Sequence, residues 1–252
     1  MIDFVYFELD DFYRSFLLKR HAFYCSQSEI RLLSQFGDIE SESDKLTEHW
    51  IQDQDANFDP DRDDPAAIYD RANDKAVEYY GLLSDMRDAT RLNVITGMFH
   101  LWEKDVRDWL WRQIRHWHRG ENVKRKIWSM NFSQLFELLE YLGWNASREK
   151  FYAMLNQCRL IVNVYKHGEG ASFEEIKVNY PQYLRHLLPY SKWQLHVTYA
   201  DLEISDIHLN NFSNAIVEFW QSVPNRISDS CDPQFPQWFK DAFNKDQNVS
   251  NN

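Results

Sequence analysis

Apolar residues recur at three- and four-residue spacing along most of the chain, which is the period of an amphipathic helix. The longest such pattern runs from about Asp85 to His118, with a possible break near Thr96–Gly97. Further helices are predicted over residues 3–35 (one or two), 65–80, 132–142 and 206–223. Only seven glycines and seven prolines occur in 252 residues, which leaves little turn material for a many-stranded sheet. The pattern predicts a mainly α fold.

Three segments interrupt this helical pattern. Residues 37–65 are acidic and poor in apolar side chains, so we predict an inserted loop or a short, loosely held helix there. Phe173–Val178 and Gln194–Tyr199 alternate β-branched and aromatic residues, which predicts a small hairpin or sheet over residues 173–204. The polar residues 244–252 are expected to be disordered. Residues 1–243 then form a single domain.

One predicted helix, Phe151–Gly170, is apolar except along a narrow stripe. In projection six polar side chains fall within a sector of about 100°, and we call these residues the polar seam: Tyr152, Asn156, Arg159, Asn163, Lys166 and His167. The rest of the helix surface is apolar and is expected to be buried.

Arg159, Asn163 and His167 lie on successive turns of the seam. Histidine is the side chain best suited to move protons near neutral pH, and arginine can hold a phosphate with two hydrogen bonds. Together with a positioning amide they supply what metal-independent RNA cleavage needs. The structural alternative is a solvated stripe whose last turn carries cations before a helix-ending glycine, Gly168.

A second candidate surface is the basic run at residues 111–126. Arg112, Arg115 and Arg119 share one face of the predicted helix, and Lys124, Arg125 and Lys126 follow. Trp117 and Trp128 interleave with these cations and could stack on unpaired bases. The alternative is a solvated helix end with buried tryptophans. Isolated histidines such as His100 are expected to be surface or hydrogen-bonded core residues.

The net charge of −11 does not exclude an RNA ligand, because the charge is unevenly spread. Residues 37–75 hold thirteen acidic and four basic residues, which leaves 26 acidic and 24 basic residues elsewhere. No nucleotide-binding, hydrolase or metal-ligand motif is present, so we predict no metal and no other cofactor. Three scattered cysteines, no long apolar run and no signal sequence predict a cytoplasmic protein without a membrane segment.

The run RLIVNVYKHGEG, residues 159–170, resembles the signature helix of HEPN-like domains, an all-helical family of ribonucleases, toxins and antiviral defence proteins. Its arginine-to-histidine step, eight positions, is longer than the family's usual one. The resemblance implies a helical bundle that cleaves RNA without metal in a prokaryotic toxin or anti-phage defence system. It also implies a homodimer through the 151–170 helix.

The resemblance implies that Arg159 stabilises the phosphate, that Asn163 positions the substrate and that His167 transfers protons. Lys166 and Tyr152 would bind the substrate. Arg112, Arg115 and Arg119 would extend the RNA-binding surface. The alternative function is a non-catalytic helical scaffold or partner-binding subunit of a defence or toxin–antitoxin complex. In either case the acidic segment 37–75 could bind an antitoxin or partner subunit.

Overall fold

A computed structural model of the chain describes residues 4–55, 58–59, 61–185, 197–229 and 235–250. These residues are mostly helical, which confirms the mainly α class. In chain order the elements are β1 (Phe4–Glu8), α1 (Asp11–Arg31), α2 (Ile39–Asp55), α3 (Pro65–Ile114), α4 (Glu121–Ser129), α5 (Phe132–Tyr141), α6 (Lys150–His167), α7 (Ala171–Asn179), α8 (Asp206–Ser222), β2 (Arg226–Asp229) and α9 (Gln237–Ser250). In the described part of the chain, no helix has the length and apolar character needed to cross a membrane.

The longest element, α3, joins two stretches that were predicted as separate helices. It has 50 residues, so it is about 75 Å long. The possible break at Gly97 is not a break: Tyr24 of α1 packs there and donates a hydrogen bond to the Val94 carbonyl at 3.1 Å. A Cβ on residue 97 would lie 2.1 Å from the Tyr24 hydroxyl oxygen, so glycine permits this contact. The helix ends at Ile114 rather than His118.

The acidic segment is mainly a helix and not the predicted loop, because α2 fills most of it. This helix packs along the first half of α3, where the Ser43 hydroxyl donates to the Ala76 carbonyl at 2.7 Å. Ile39 of α2 and Ala72 of α3 are buried. Ile39 and Ser43 are four residues apart, so they lie on the same face of α2, and both are buried. We call α2 and residues 65–85 of α3 the acidic hairpin.

The core forms where α6 packs against α3, α7 and α8. Phe219 of α8 lies at its centre, with its ring centroid 5.2 Å from Trp102, 5.3 Å from Trp144 and 5.4 Å from Phe151. Most of these rings meet edge to face, which is a favoured geometry for aromatic pairs. The predicted helices at 132–142, 151–170 and 206–223 correspond to α5, α6 and α8 within a few residues.

The described residues of the 173–204 segment do not form the predicted sheet. Phe173–Val178 lies inside α7, residues 186–196 are outside the described residues, and 197–204 contain one isolated bridge, Leu202 with Leu184. The two-stranded antiparallel sheet instead pairs β1 with β2, near opposite ends of the chain. Residues 4–8 were predicted to be helical, but tertiary contacts hold them extended: the Trp109 indole donates to the Glu8 carbonyl at 3.1 Å.

The predicted disorder of residues 244–252 is also wrong for the described part, because α9 extends to Ser250. Asp246 is the reason. Its carboxylate accepts hydrogen bonds from the backbone N–H groups of Asn122 (2.9 Å) and Val123 (3.0 Å), and pairs with His118 Nε2 at 2.9 Å. It therefore caps the N-terminus of α4 from a distant helix. A Cβ on Gly120 would lie 1.9 Å from this carboxylate.

The capping of α4 by Asp246 leads to a prediction about the stability of the fold. Burial alone raises the pKa of Asp246, but hydrogen bonds from His118, Asn122 and Val123 outweigh it and hold that pKa below its ordinary value. The carboxylate thus stabilises the fold above the pKa of an unfolded aspartate, and this contribution is lost as pH falls through the lower folded pKa. We expect Asp246→Ala to reduce the free energy of unfolding by about 2 kcal/mol near neutral pH.

Urea unfolding from pH 7 downward measures the effect. The difference between wild type and variant should shrink as the pH falls. Asp241→Ala is the matched control on α9, because Asp241 is exposed and, among the described residues, its carboxylate hydrogen-bonds to Gln237 of the same helix. Equal unfolding free energies for wild type and Asp246→Ala at pH 7 would contradict the capping role.

Candidate functional site

A polar cleft of about 340 Å³ opens between α3, the start of α5 and α6. Its lining residues are Phe99, His100 and Glu103 from α3, Asn131, Phe132 and Ser133 from the α5 start, and Arg159, Val162 and Asn163 from α6. Two residues of the polar seam thus face a cavity rather than open solvent. We call this cavity the cleft.

Arg159 is the central cation of the cleft. Its Nε and Nη2 donate to Asn156 Oδ1 at 3.0 and 2.8 Å, and its guanidinium lies over the Phe132 ring, 5.5 Å from the centroid. Glu175 of α7 approaches Nη2 at 3.9 Å. The hydrogen bonds use two of five N–H donors, so a held guanidinium keeps donors for an anion. Its side chain is 26% exposed, and solvent reaches it through the cleft.

The cleft is also lined by a histidine–carboxylate pair of α3, whose histidine was predicted to be a surface or hydrogen-bonded core residue and not a site residue. His100 Nδ1 lies 3.1 Å from Glu103 Oε2. Arg107 donates from Nη2 to the other carboxylate oxygen at 3.2 Å and to the Met130 carbonyl at 3.0 Å. A carboxylate oxygen accepts, so Nδ1 donates to it, and in this tautomer Nε2 carries the lone pair that can accept a proton.

The spacing of these two residues indicates that they are neighbours on α3, but it does not show that they line a site. His100 and Glu103 stand at i and i+3, a spacing that places them on one helix face. Nothing in the local sequence tells which face of a 50-residue helix meets α6. The cleft only forms once Arg107 and Phe99 of α3 pack against Met130 and Phe132 at the start of α5, and that packing joins residues distant in sequence.

The remaining seam residues have different surroundings. Asn163 lines the cleft, and its amide donates to the Ser172 hydroxyl at 3.3 Å. Lys166 and His167 are exposed in the last turn of α6, before Gly168 with φ of +69°. His167 is eight residues from Arg159, about 12 Å along the helix. It is not among the cleft-lining residues, so one copy of the chain does not bring Arg159 and His167 together.

Tyr152 and the basic run lie outside the cleft. The Tyr152 ring packs on Phe132 and Phe136, with centroids 5.7 and 4.7 Å apart, which gives it a core role. Arg112 pairs with Asp108 at 2.7 Å. Because α3 ends at Ile114, Arg115 lies at the helix end and Arg119 beyond it, so the three arginines do not share a helix face as predicted. Arg119 Nε donates to the Arg115 carbonyl at 3.3 Å.

The two tryptophans of the basic run also differ. Trp117 stacks on Phe235 with centroids 5.5 Å apart and an angle of 9°, so its face is taken by the fold. Its indole N–H donates to the Tyr6 carbonyl at 3.4 Å. Trp128 is 45% exposed on α4. An unpaired base could therefore stack on Trp128, whereas the face of Trp117 that Phe235 covers is not accessible to a base.

The described residues contain no cluster of metal ligands, and the thiol of α6 is buried. Over residues 4–55, 58–59, 61–185, 197–229 and 235–250, no group of three or more histidine, cysteine, aspartate or glutamate side chains could hold a metal ion. Cys158 of α6 is fully buried, and burial, reinforced by the charge of Glu103, raises its thiol pKa well above the usual range. It therefore stays protonated and unreactive.

The fold and the cleft define a mainly α-helical protein with a polar, arginine-containing cavity between two packed helices. No family model matches the chain, and neither the curated proteins nor the solved structures contain a match. The HEPN-like resemblance thus rests on the α6 sequence alone and stays a prediction.

The Glu103 carboxylate is expected to hold the cleft wall together, because it joins His100 to Arg107. Glu103→Gln removes the charge between them and leaves a largely buried guanidinium poorly paired. We expect the free energy of unfolding to fall by about 1–3 kcal/mol. A double-mutant cycle with Arg107→Gln should show coupling of about 1 kcal/mol.

Urea unfolding near pH 7 provides the measurement. Glu140→Gln is the matched control, because it makes the same change in charge at an exposed position of α5 and should shift stability by less than about 0.5 kcal/mol. Additive effects of the two cleft substitutions would show that the carboxylate does not organise this wall.

Proposed function

We propose that the protein is a metal-independent endoribonuclease and that the cleft binds the scissile phosphodiester. The supporting observation is that Arg159 of α6 and the His100–Glu103 pair of α3 line the same cleft. The first is a phosphate ligand, and the second is an oriented proton acceptor. The HEPN-like resemblance of α6 points to the same activity, in a prokaryotic toxin or anti-phage defence system.

The reaction follows from the chemistry of RNA itself. The 2′-hydroxyl attacks the adjacent phosphorus, His100 Nε2 accepts its proton, and the P–O5′ bond breaks. The leaving 5′-oxygen takes a proton from a general acid, and the products are a 2′,3′-cyclic phosphate and a 5′-hydroxyl. Arg159 stabilises the negative charge that develops on the phosphate oxygens, and Asn163 offers an amide to the ribose or phosphate.

His167 is proposed as the general acid, supplied by a second copy of the chain. It lies about 12 Å along α6 from Arg159 and is exposed, so it cannot serve its own cleft but is free to enter another. A two-fold homodimer through the exposed end of α6 places two such helix ends symmetrically. Lys166, beside His167, adds a cation for the substrate.

A second candidate function is a partner-binding helical subunit without catalysis. The observation that favours it is the acidic hairpin, which exposes apolar side chains among its carboxylates: Tyr69 and Val77 are 61% and 64% exposed. An antitoxin or partner subunit with a basic, apolar face would fit this surface.

Cleavage of total RNA in the presence of EDTA tests the enzyme. We expect Arg159→Ala and His100→Ala each to reduce the rate at least about 100-fold while the protein stays folded. Products should carry 2′,3′-cyclic phosphates, and a 2′-deoxy substitution at the cut should block cleavage. Arg87→Ala and His49→Ala, which lie outside the cleft, are the matched controls.

The same assay separates the two functions. Full activity of Arg159→Ala would overturn the role of the cleft, and loss of wild-type cleavage in EDTA would overturn the metal-independent mechanism. No cleavage under any condition, together with a stable complex with a separate protein that the acidic hairpin binds, would favour the partner-binding subunit.

Subunit complementation tests the shared site. Arg159→Ala and His167→Ala should each be inactive alone, but when co-expressed they should recover about one quarter of wild-type activity. In a mixed dimer, one of the two sites has Arg159 and His167 intact, and half of the dimers are mixed. The matched pair Arg159→Ala with His100→Ala should stay inactive, because both residues line one cleft. Activity of His167→Ala alone would remove His167 from the mechanism.

A further inference from the structure

A second cavity, an open groove of about 380 Å³, lies between α4 and α9. It is lined by Asn122, Arg125, Lys126 and Ser129 from α4 and by Trp238, Asp241, Ala242 and Lys245 from α9. We call it the basic groove. Half of it comes from the C-terminal helix that Asp246 docks against α4.

The cations of the basic groove are not neutralised by the fold. Among the described residues, Arg125, Lys126 and Lys245 form no ion pair within 4.0 Å, and Asp241 is hydrogen-bonded to Gln237 at 2.8 Å. Neighbouring cations differ in this respect, since Lys124 pairs with Glu121 at 3.3 Å. Among the lining residues, three cations without an ion pair and one carboxylate give this groove a local positive charge on an acidic protein.

Trp238 provides a fixed aromatic floor. Its indole N–H donates to Glu137 Oε2 at 2.6 Å, which holds the ring, and Lys126 Nζ lies 5.1 Å from the ring centroid. The ring is half-buried and lines the groove. A cation over a held aromatic surface is the pairing that single-stranded nucleic-acid sites use for phosphates and bases.

The groove and the cleft adjoin along the chain. Ser129 lines the groove and Asn131 lines the cleft, so only Met130 separates them, and their Cα atoms are at most about 7 Å apart. A ligand that occupies both cavities must be extended, as a polymer strand is. Its backbone must also be anionic to match the cations.

We propose that the basic groove binds the phosphate backbone of single-stranded RNA and leads the strand into the cleft. This inference rests on the proposed function for the identity of the polymer. Arg125, Lys126 and Lys245 each contact a phosphate, and the Trp238 face supports a ribose or base. Because about three counterions are released, log affinity should fall with log salt with a slope of about −2.

Binding is measured by fluorescence anisotropy with a labelled 12-nucleotide, fully 2′-O-methylated RNA, which cannot be cleaved. The test variant is Arg125→Gln/Lys126→Gln/Lys245→Gln. We expect at least about tenfold weaker binding near 100 mM salt and a salt slope closer to zero. The matched control, Lys19→Gln/Lys45→Gln/Lys150→Gln, makes the same change in net charge at exposed positions outside both cavities and should bind like wild type.

Each result of the binding assay supports or overturns the proposed role of the basic groove. Wild-type affinity in the groove variant, equal weakening in the control, or no RNA binding by the wild type would each overturn the inference. Tighter groove-dependent binding of a polyglutamate peptide than of RNA would assign the groove to an acidic protein instead. Circular dichroism and urea unfolding confirm that each variant is folded.

The binding assay also separates this inference from the proposed ribonuclease. Groove-dependent RNA binding without cleavage of unmodified RNA upholds the groove and overturns the enzyme. Cleavage that depends on Arg159, with RNA affinity unchanged in the groove variant, upholds the enzyme and overturns the groove.

Discussion

The burial of α6 is the constraint on which the rest of the structure depends. Leu155, Cys158, Leu160, Ile161 and Val164 are fully buried against neighbouring helices. Between Leu155 and Val164 no side chain of α6 is fully exposed, and an isolated buried charge is costly. Arg159 is tolerated because the surrounding helices leave a cavity along the polar seam. The same burial that stabilises the core therefore creates the cleft and fixes which side chains enter it.

Acidic and basic side chains are concentrated in different regions of the molecule. Most of the excess acid belongs to residues 37–75, which the fold sets apart as the acidic hairpin on the first half of α3. The cleft and the basic groove carry their own cations, near the α4–α5 junction. Screening confines surface electrostatics to about 10 Å at ordinary salt. A net charge of −11 therefore says little about either cavity, which the local cations govern.

Local patterns in the sequence were enough to predict the elements whose boundaries depend on neighbouring residues. Asn131 caps α5 through a reciprocal bond with Gln134, and Gly168 ends α6 with a positive φ. The errors arose where distant segments determine the structure. β1 pairs with a strand more than two hundred residues away, and Asp246 orders α9 by capping α4. At the site, Arg159 and Asn163 were recognised, whereas His100 required knowledge of which α3 face meets α6.

The eight-residue spacing between Arg159 and His167 has two opposing consequences for the site. Eight residues are close to two helical turns, so the two side chains share a face, which is why they look like a single motif in sequence. The same step separates them by about 12 Å, more than two side chains bridge around one phosphate. In the proposed mechanism the arginine therefore works with His100, which lines the same cleft. In that proposed mechanism, His167 acts on the bound phosphodiester only where a second α6 end meets the cleft. The spacing thus favours a site divided between two copies over a site complete in one.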